Sequence, residues 1–219
     1  SEMCIRDSGK SQEMLFNIHR FKQQGVIPAN TPVYFGGLSA KVSLLYDRFA
    51  GLTRRHDHEF KLKEEIKTVP LPRKGKAPLV CSPGNIYVVS SGMMTENTLS
   101  NVMAEQVLPH EKNAILFVGY ADPDSPAGRL RAAQEGDLVK MRPNGQPVRR
   151  NCTVDCFDFS GHATRDALVN YAVKLNPRQV VLVHGDPDAV EWMHDTLSAR
   201  MPGSTIIAPV PGQRYTFES

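Results

Sequence analysis

The chain has 219 residues, of which 41% are hydrophobic and 22% are charged, so its composition is that of a globular protein and excludes a disordered or fibrous one. Its net charge of +3 at neutral pH is too small to indicate a nucleic-acid partner by itself. No apolar run approaches the ~20 residues of a membrane span, and the chain does not open with the apolar segment of a signal peptide. We therefore expect a soluble, cytoplasmic protein without a membrane partner.

The first eight residues, 1–8, show no periodicity and match nothing that follows, so we expect a non-native or disordered extension. The string S-G-K-S at residues 8–11 is similar to the end of a phosphate-binding P-loop. That motif requires a glycine five residues before the Gly-Lys pair, where Cys4 stands, and a preceding buried strand, which is missing. A P-loop is therefore not expected.

The N-terminal third of the chain alternates helical and extended patterns. Apolar residues at helical spacing predict an amphipathic helix from Gln12 that ends at Gly25, a common residue just past a helix end. We expect a second helix over 39–49, with an apolar inner face formed by Val42, Leu45, Tyr46 and Phe49. The other elements predicted here are a strand over 32–35 and, within a Lys-, Pro- and Gly-rich excursion over 51–78, a short helix near 59–66.

The middle of the chain alternates strands and helices, which predicts an α/β layer. A strand over 86–89 leads into the small-residue loop at 90–93, a helix over 99–107 and a strand over 114–118. Further on, the Asn144-Gly145 pair predicts a hairpin turn of type I′, because Asn and Gly tolerate positive φ values. The C-terminal stretch predicts two closing strands, 204–209 and 213–217.

The cysteines do not indicate a disulfide scaffold, since four are too few in a chain of this size. Cys152 and Cys156 lie on one face of an extended pattern, and four extended residues separate their Cα atoms by ~13 Å, too far for one zinc ion. We therefore interpret both as small core residues.

Two histidine loops near the C-terminus carry most of the functional information. His162 and His184 each lie in a Gly-flanked loop beside an apolar run, and residues 166–175 between them repeat apolar positions at helical spacing. A right-handed parallel crossover would bring both loops to one sheet edge, where ligands bind in such folds. A ligating imidazole is commonly oriented by a carboxylate, and Asp158, Asp166 and Asp186 are candidates for that role. A purely structural role for both histidines stays open.

The remaining histidines do not complete a metal site. His19, His110 and His194 fall in or beside predicted helices, where a surface or core role is expected. The H-x-H step at residues 56–58 has no buried strand before it, and we do not favour metal binding there. Because catalytic zinc takes at least three protein ligands, the chain either binds no catalytic metal or is part of something larger.

Four motifs occur in order along the chain: S-S-G-M-M at 90–94, G-Y-A-D-P-D-S-P-A-G-R at 119–129, F-S-G-H-A-T-R-D at 159–166 and L-V-H-G-D-P-D-A at 182–189. Together they resemble the β-CASP branch of the metallo-β-lactamase superfamily. The similarity is to its RNA-processing members, such as bacterial ribonuclease J-like enzymes and the eukaryotic pre-mRNA 3′-end endonuclease. It extends from about Gly9 to the C-terminus.

The resemblance implies an α/β fold in two parts. Residues 9–147 resemble part of a β-CASP insert, a mostly parallel sheet flanked by helices, and include the insert's Gly-Lys-Ser-Gln-Glu helix start. Residues 148–219 resemble the C-terminal segment of a metallo-β-lactamase αββα domain of the RNA-metabolising type. The N-terminal part of that domain, with the family's H-x-H-x-D-H motif, is absent from this sequence.

The resemblance also implies residue roles. His162 is similar to the histidine that protonates the leaving oxygen, and His184 to a zinc ligand that RNA-acting members carry. Ser90, Ser91, Gly92 and Arg129 resemble loop residues that hold nucleic-acid phosphates. The alternatives to a phosphate-binding role are a tight turn for the Ser90-Ser91-Gly92 segment and a salt bridge for Arg129.

The expected function is that of a fragment of a zinc-dependent ribonuclease with RNA as partner, inactive or nearly so alone. Two zinc ions are expected in the intact parent and an incomplete site here. Cleavage inside the RNA or from an end, and a homodimer, both stay open. The alternative is a non-catalytic RNA-binding or scaffold homologue; a hydrolase of small esters is disfavoured, because 9–147 resembles a nucleic-acid-handling insert.

Overall fold

The computed structural model describes residues 9–52, 59–71, 80–90, 92–157 and 163–216. The helices are α1 (Lys10–Gln23), α2 (Gly37–Arg48), α3 (Leu62–Glu65), α4 (Leu99–Val107), α5 (Pro126–Ala132), α6 (Arg165–Leu175) and α7 (Pro187–Arg200). The strands are β1 (Val33–Phe35), β2 (Val69–Pro70), β3 (Ile86–Val88), β4 (Ala114–Phe117), β5 (Leu138–Val139), β6 (Val148–Arg149), β7 (Thr153–Cys156), β8 (Gln179–Val181) and β9 (Thr205–Ile207). Short 3₁₀ turns lie at Ala50–Leu52 and Gly92–Met94.

The chain divides into two compact units, Ser1–Gly161 and His162–Ser219, and each is described by itself. Both units combine helices with short, mainly parallel strands, so the predicted α/β class is confirmed. In the described ranges, no helix is both long enough and apolar enough to cross a membrane.

Helix α1 begins two residues before the predicted start. The side-chain oxygen of Gln12 accepts a hydrogen bond from the Gly9 N–H at 2.8 Å, which satisfies one of the free donors at the helix start. Leu15 and Ile18 are buried, and the chain turns away at Gly25, whose φ of 73° lies in the left-handed region. The predicted end of this helix is confirmed.

The first sheet is parallel, in the order β2-β1-β3. Strand β1 is central, and its residues Val33 and Phe35 point into the core while Tyr34 stacks on Tyr87 across the pair with β3. The buried members of this core are Leu15, Ile18, Val33, Phe35, Leu62 and Ile66. Helices α1 and α3 therefore cover a face of this sheet.

Helix α2 differs from its prediction in the face that it buries. Leu45 is 55% exposed and Phe49 is 46% exposed, whereas Ser39 and Ser43 are buried. The prediction of an apolar inner face was wrong for Leu45 and Phe49, because the buried serines of α2 belong to a polar hydrogen-bond network. The hydrophobic contact of this helix with the core is made by Ala40. Periodicity indicates which residues share a face of the helix, but it does not indicate which face packs against the rest of the protein.

The second sheet of the first unit pairs β4 with β7 in parallel, from Ala114 opposite Thr153 to Phe117 opposite Cys156. Strands β5 and β6 form an antiparallel hairpin beside it. The core of this half consists of Ala104, Leu108, Leu130, Val139, Met141 and Cys152. It joins α4 and α5 to the sheet and the hairpin.

The hairpin turn is not of the predicted type. The Gly145 N–H donates to the Arg142 carbonyl at 3.1 Å, and neither Asn144 nor Gly145 has a positive φ. The observed turn therefore comprises residues 142–145, with Pro143 at its second position. A type I′ turn centred on the Asn-Gly pair would comprise residues 143–146, one residue later. Proline fixes its own φ near the value that this turn needs, and its influence outweighs that of the Asn-Gly pair.

The two cysteines near β7 have different environments. Cys152 is 1% exposed, as predicted for a core residue, and burial raises the pKa of its thiol although the nearby Arg150 charge opposes this. Cys156 is exposed, so its interpretation as a core residue was wrong. Cys152 and Val154 pack in one core, whereas Cys156, the last residue of β7, is not part of that core.

The second unit packs α6 and α7 against the parallel pair β8 and β9. Its buried centre is Val169, Leu197 and Met201. Within the predicted apolar repeat of α6, Leu168, Tyr171 and Leu175 are 49–64% exposed, and Val169 is the residue that packs inward. One closing strand, β9, is confirmed in part, whereas residues 213–216 of the other have no strand structure.

Candidate functional site

The carboxyl ends of the parallel strands lead into the loops that carry the predicted site residues of the first unit. Strand β1 leads into the start of α2, β3 leads to Ser90, and β4 leads to Gly119. The carboxyl ends of parallel strands within a sheet lie on one edge, which is the usual ligand-binding edge of α/β proteins.

Four serines from the start of α1, from α2 and from the end of β3 lie together. We call them the hydroxyl cluster: Ser11, Ser39, Ser43 and Ser90. Ser39 is its centre, since its hydroxyl lies 3.3 Å from that of Ser11 and donates to that of Ser90. The main-chain carbonyl of Ser39 accepts from the Ser43 hydroxyl at 2.8 Å and from the Gln12 amide at 3.3 Å. The start of α1, the start of α2 and the end of β3 are therefore held together by polar contacts.

The loop after β3 has an unusual backbone. Met93, Met94 and Asn97 all have positive φ values, between 52° and 62°. Asparagine tolerates this region, whereas each methionine adopts it at a cost of about 1–3 kcal/mol. Asn101, which is fully buried, fixes this loop because its amide donates to the Met94 carbonyl at 2.7 Å and the Met141 carbonyl at 2.9 Å. Packing and hydrogen bonds thus hold a strained loop beside Ser90.

Of the predicted phosphate-binding residues, Ser90 lies in the hydroxyl cluster and Gly92 begins the turn of this strained loop. Ser91 lies outside the described residues. Arg129 is exposed on α5, and its guanidinium donates to the carbonyls of Asp124 at 2.6 Å and Lys140 at 3.4 Å. Among the described residues it has carbonyl partners and no ion pair, so the salt-bridge alternative receives no support.

The loop after β4 is packed tightly on α5. Ser125 accepts from the Gly128 N–H at 3.0 Å and donates to the Asp122 carbonyl at 2.6 Å. A Cβ on Gly128 would lie 2.0 Å from that same carbonyl oxygen, so only glycine permits this approach.

Two cationic side chains meet at Gly119, at the start of this loop. The Lys10 ammonium lies 2.5 Å from the position that a Cβ of Gly119 would occupy. The Arg131 guanidinium donates to the Gly119 carbonyl at 3.3 Å, contacts the sulfur of Cys156 at 3.2 Å and lies over the ring of Phe117. Sequence reasoning missed both cations, although Lys10 belongs to the Gly-Lys-Ser-Gln-Glu helix start that it had noted.

The histidine turn of the second unit, which we define as residues 182–186, contains His184. This residue is exposed and has a φ of 63°, a left-handed conformation that is uncommon outside glycine. Asp186 caps the start of α7 by position, yet its carboxylate makes no capping hydrogen bond. Asp166 is exposed in the first turn of α6. An imidazole and two carboxylates are thus accessible in this unit.

His162 and Asp158 lie outside the described residues, so the predicted meeting of two imidazoles stays a prediction. Within the first unit β7 pairs with β4, and within the second β8 pairs with β9.

The described residues do not by themselves hold a metal ion. In the described ranges, no group of three or more His, Cys, Asp and Glu side chains is arranged to bind a metal. Catalytic zinc needs at least three protein ligands, so His184 with its neighbouring carboxylates does not complete a zinc site.

Parallel sheets flanked by helices, with hydroxyls and cations at their carboxyl ends, define an α/β protein of a ligand-binding type. The family model of the Beta-Casp domain matches residues 11–130, which is more than half of the chain. A model described as the Zn-dependent metallo-hydrolase RNA specificity domain matches residues 147–209. The chain belongs to the β-CASP branch of the metallo-β-lactamase superfamily, a branch of RNA-processing nucleases, and the resemblance is confirmed.

The chain is similar to the transcription termination factor FttA of Pyrococcus abyssi, with 26% identity over 82% of this chain and 29% of the length of FttA. Cleavage and polyadenylation specificity factor subunit 3 of Dictyostelium discoideum is 22% identical over 96% of this chain and 27% of its own length. Endoribonuclease YSH1 of Candida glabrata is 29% identical over 52% of this chain and 14% of its own length. The chain thus spans less than a third of each of these relatives.

Proposed function

We propose that the chain is the RNA-binding portion of a zinc-dependent ribonuclease that hydrolyses RNA phosphodiester bonds in RNA processing or decay, and that it acts as a fragment of a longer enzyme. The observation that carries this proposal is the succession of the two family matches, 11–130 and 147–209, along one chain. The description of the second match includes both RNA specificity and zinc dependence. A cytoplasmic location and a homodimer belong to the proposal as well.

The proposed residue roles follow from the motifs. His162 is the general acid at the leaving oxygen and His184 a zinc ligand, while Asp158, Asp166 and Asp186 orient these groups. His184 is exposed and left-handed, and the carboxylate of Asp186 makes no capping hydrogen bond to α7. Both side chains can therefore contact other groups. Zinc, when bound, would stabilise negative charge that develops at the phosphate.

The proposed phosphate contacts are Ser90, Ser91, Gly92 and Arg129. Hydroxyl groups, main-chain N–H groups and guanidinium groups suit phosphate oxygens. The strained loop beside Ser90 supports this proposal, because strain of this kind is concentrated at functional sites.

The experiment has two stages. First, the 219-residue chain is titrated with fluorescent single-stranded RNA, and binding that weakens with salt is expected. Second, the chain is joined to an N-terminal half of the family type that carries H-x-H-x-D-H, and zinc-dependent RNA cleavage is measured. Loss of a residue that only orients a metal ligand costs roughly 10–100-fold, and we expect His184→Ala to reduce cleavage by at least as much, because it removes the ligand itself.

The matched control is His194→Ala, since His194 is a partly exposed histidine in the same unit that pairs with Asp195. Full activity of the His184→Ala enzyme would contradict the ligand role. RNA binding without cleavage by the joined enzyme would favour the alternative, a non-catalytic RNA-binding or scaffold homologue.

A further inference from the structure

Lys10 and Arg131 bring two positive charges to one glycine, Gly119. The Lys10 nitrogen lies 2.5 Å from the Cβ position of Gly119, and an Arg131 nitrogen lies 3.3 Å from the Gly119 carbonyl oxygen. These two points on a glycine are about 3 Å apart, so the cationic nitrogens lie within roughly 9 Å of each other. One phosphate group between them can contact both.

Neither cation is balanced by an acid among the described residues. The described ion pairs involve Lys61, Arg142 and His194, and not Lys10 or Arg131. The acidic residue nearest to Lys10 in α1 is Glu13, whose carboxylate accepts from Asn17 at 3.1 Å. Two unbalanced like charges at one residue are unfavourable unless an anion joins them.

Local stability does not explain Lys10 at this place. It is the first residue of α1, where a positive charge opposes the helix dipole and an acidic residue is preferred. A Cβ on Gly119 would lie 2.5 Å from the Lys10 ammonium, so glycine allows the lysine to take this position without being displaced. Arg131 is held by three contacts, to the Gly119 carbonyl, the Cys156 sulfur and the Phe117 ring. Arg131 therefore has a defined position, and the Lys10 ammonium lies close to the same glycine.

We propose that Lys10, Arg131 and Gly119 form a phosphate-binding site, the Gly119 site, which holds one phosphate of the RNA. The proposal rests on the proposed function in taking RNA as the ligand. A guanidinium presents paired donors to phosphate oxygens and an ammonium adds a point charge, so the pair suits a phosphate group better than a neutral ligand. The phosphate is either internal or at an end of the RNA, and the experiment separates these sources.

The experiment measures binding of the full chain to 3′-labelled single-stranded RNA that carries a 5′-hydroxyl or a 5′-phosphate, over a range of salt concentrations. We expect Lys10→Gln and Arg131→Gln each to weaken binding by about 3–10-fold and to lower the salt slope by ~0.7, because each removes one phosphate contact. An effect confined to 5′-phosphorylated RNA assigns the site to the terminal phosphate. An equal effect on both RNAs assigns it to the internal backbone.

Matched controls come from the opposite end of the same half of the unit. Arg149 is an exposed arginine whose guanidinium donates to a glycine carbonyl, that of Gly136 at 2.8 Å, much as Arg131 does to Gly119. Lys112 is an exposed lysine that precedes β4. Arg149→Gln and Lys112→Gln remove the same charge, and we expect each to change affinity less than about twofold.

A charge-neutral variant separates position from net charge. Gly119→Ala places a methyl group 2.5 Å from the Lys10 ammonium, and the flexible end of the lysine can move aside without disturbing the fold. We expect an affinity loss of about threefold with an unchanged unfolding midpoint, since the charge is kept but displaced.

Alkylation of Cys156, followed by mass spectrometry with the buried Cys152 as reference, should slow several-fold when RNA is bound.

The outcomes distinguish this site from the proposed function. If the chain binds RNA but Lys10→Gln and Arg131→Gln behave like their controls, the Gly119 site is rejected and the proposed function stands. Wild-type affinity of Gly119→Ala, or alkylation of Cys156 that RNA does not slow, also rejects the site. If polyglutamate displaces RNA as well as unlabelled RNA does, the surface binds anions in general and the assignment to phosphate fails. A chain that does not bind RNA overturns both proposals.

Discussion

The strand ends of the first unit and the histidine turn of the second hold their polar groups in different ways. Around Ser39, buried hydrogen bonds fix the hydroxyls, and at Gly119 the exposed Arg131 is held by contacts with the Gly119 carbonyl, the Cys156 sulfur and the Phe117 ring. At His184 the side chain is exposed, and the turn is defined by a left-handed backbone conformation. The two units therefore differ in what maintains a candidate site, tertiary contacts in the first and local conformation in the second.

This difference indicates where substitutions should be costly. A preorganised polar site depends on every partner that fixes its side chains, because a buried donor or acceptor that loses its partner is expensive. A turn that depends on its own backbone tolerates most changes of side chain. The following substitutions test that contrast, from the largest expected effect to the smallest.

Gly128→Ala should destabilise the first unit by about 2–4 kcal/mol, because the added methyl would lie 2.0 Å from the Asp122 carbonyl and would push the loop away from α5. Its counterpart is Gly185→Ala in the histidine turn, where the nearest atom is a Val190 methyl at 3.0 Å and less than about 1 kcal/mol is expected. Urea unfolding followed by circular dichroism measures both variants. Fluorescence of Trp192, the single tryptophan, follows the second unit. Equal losses would remove the contrast between the two regions.

Asn101→Ala should lower the free energy of unfolding by about 2–3 kcal/mol, since it removes the donors to the Met94 and Met141 carbonyls from a fully buried position. The comparison is Asn170→Ala on α6, an exposed residue that accepts a hydrogen bond from Arg200 at 3.1 Å, and there we expect less than about 0.5 kcal/mol. A urea series with both variants measures the difference. A small loss for Asn101→Ala would show that the strained loop beside Ser90 does not depend on this anchor.

His184→Gly should stabilise the second unit slightly, by roughly 0.5–1 kcal/mol, because glycine adopts a positive φ without the cost that histidine has. Asn176→Gly at the end of α6 is the control. Its φ of 45° is also left-handed, but asparagine tolerates this region and a change near zero is expected. Thermal unfolding followed by Trp192 fluorescence resolves the difference. Destabilisation by His184→Gly would mean that the imidazole makes contacts that hold the turn.

Much of the architecture follows from local signals. The end of α1 at Gly25 was predictable because glycine accepts the left-handed conformation that terminates a helix. The strands around 33–35, 86–88 and 114–117 were predictable from short apolar runs between loop residues. The order of the motifs identified the family, and each predicted phosphate-contact residue that the structure describes lies in a loop after a strand or at the helix that follows one.

The parts that could not be predicted depend on which surfaces meet. The buried side of α2 is polar because Gln12, Ser39 and Ser43 satisfy one another across two helices, and periodicity within one helix contains no information about that partner. Cys156, the last residue of β7, is exposed although Val154 two residues earlier packs on the core, and alternation alone does not show where that cover ends. Lys10 and Arg131 are far apart in sequence, and only the tertiary fold brings both to Gly119.

The hairpin β5–β6 has a consequence for how the first unit assembles. Strands β4 and β7 are distant in sequence, and the loss of chain entropy when such a long loop closes opposes their pairing. The hairpin lies between them in sequence and pairs residues that are close in the chain. Once it has formed, the loop that must close to pair β4 with β7 is shorter. The N–H groups of Asn151 and Cys152 then reach the Leu108 carbonyl, where β7 enters the sheet. A two-rung ladder thus shortens the loop whose closure brings β7 to β4.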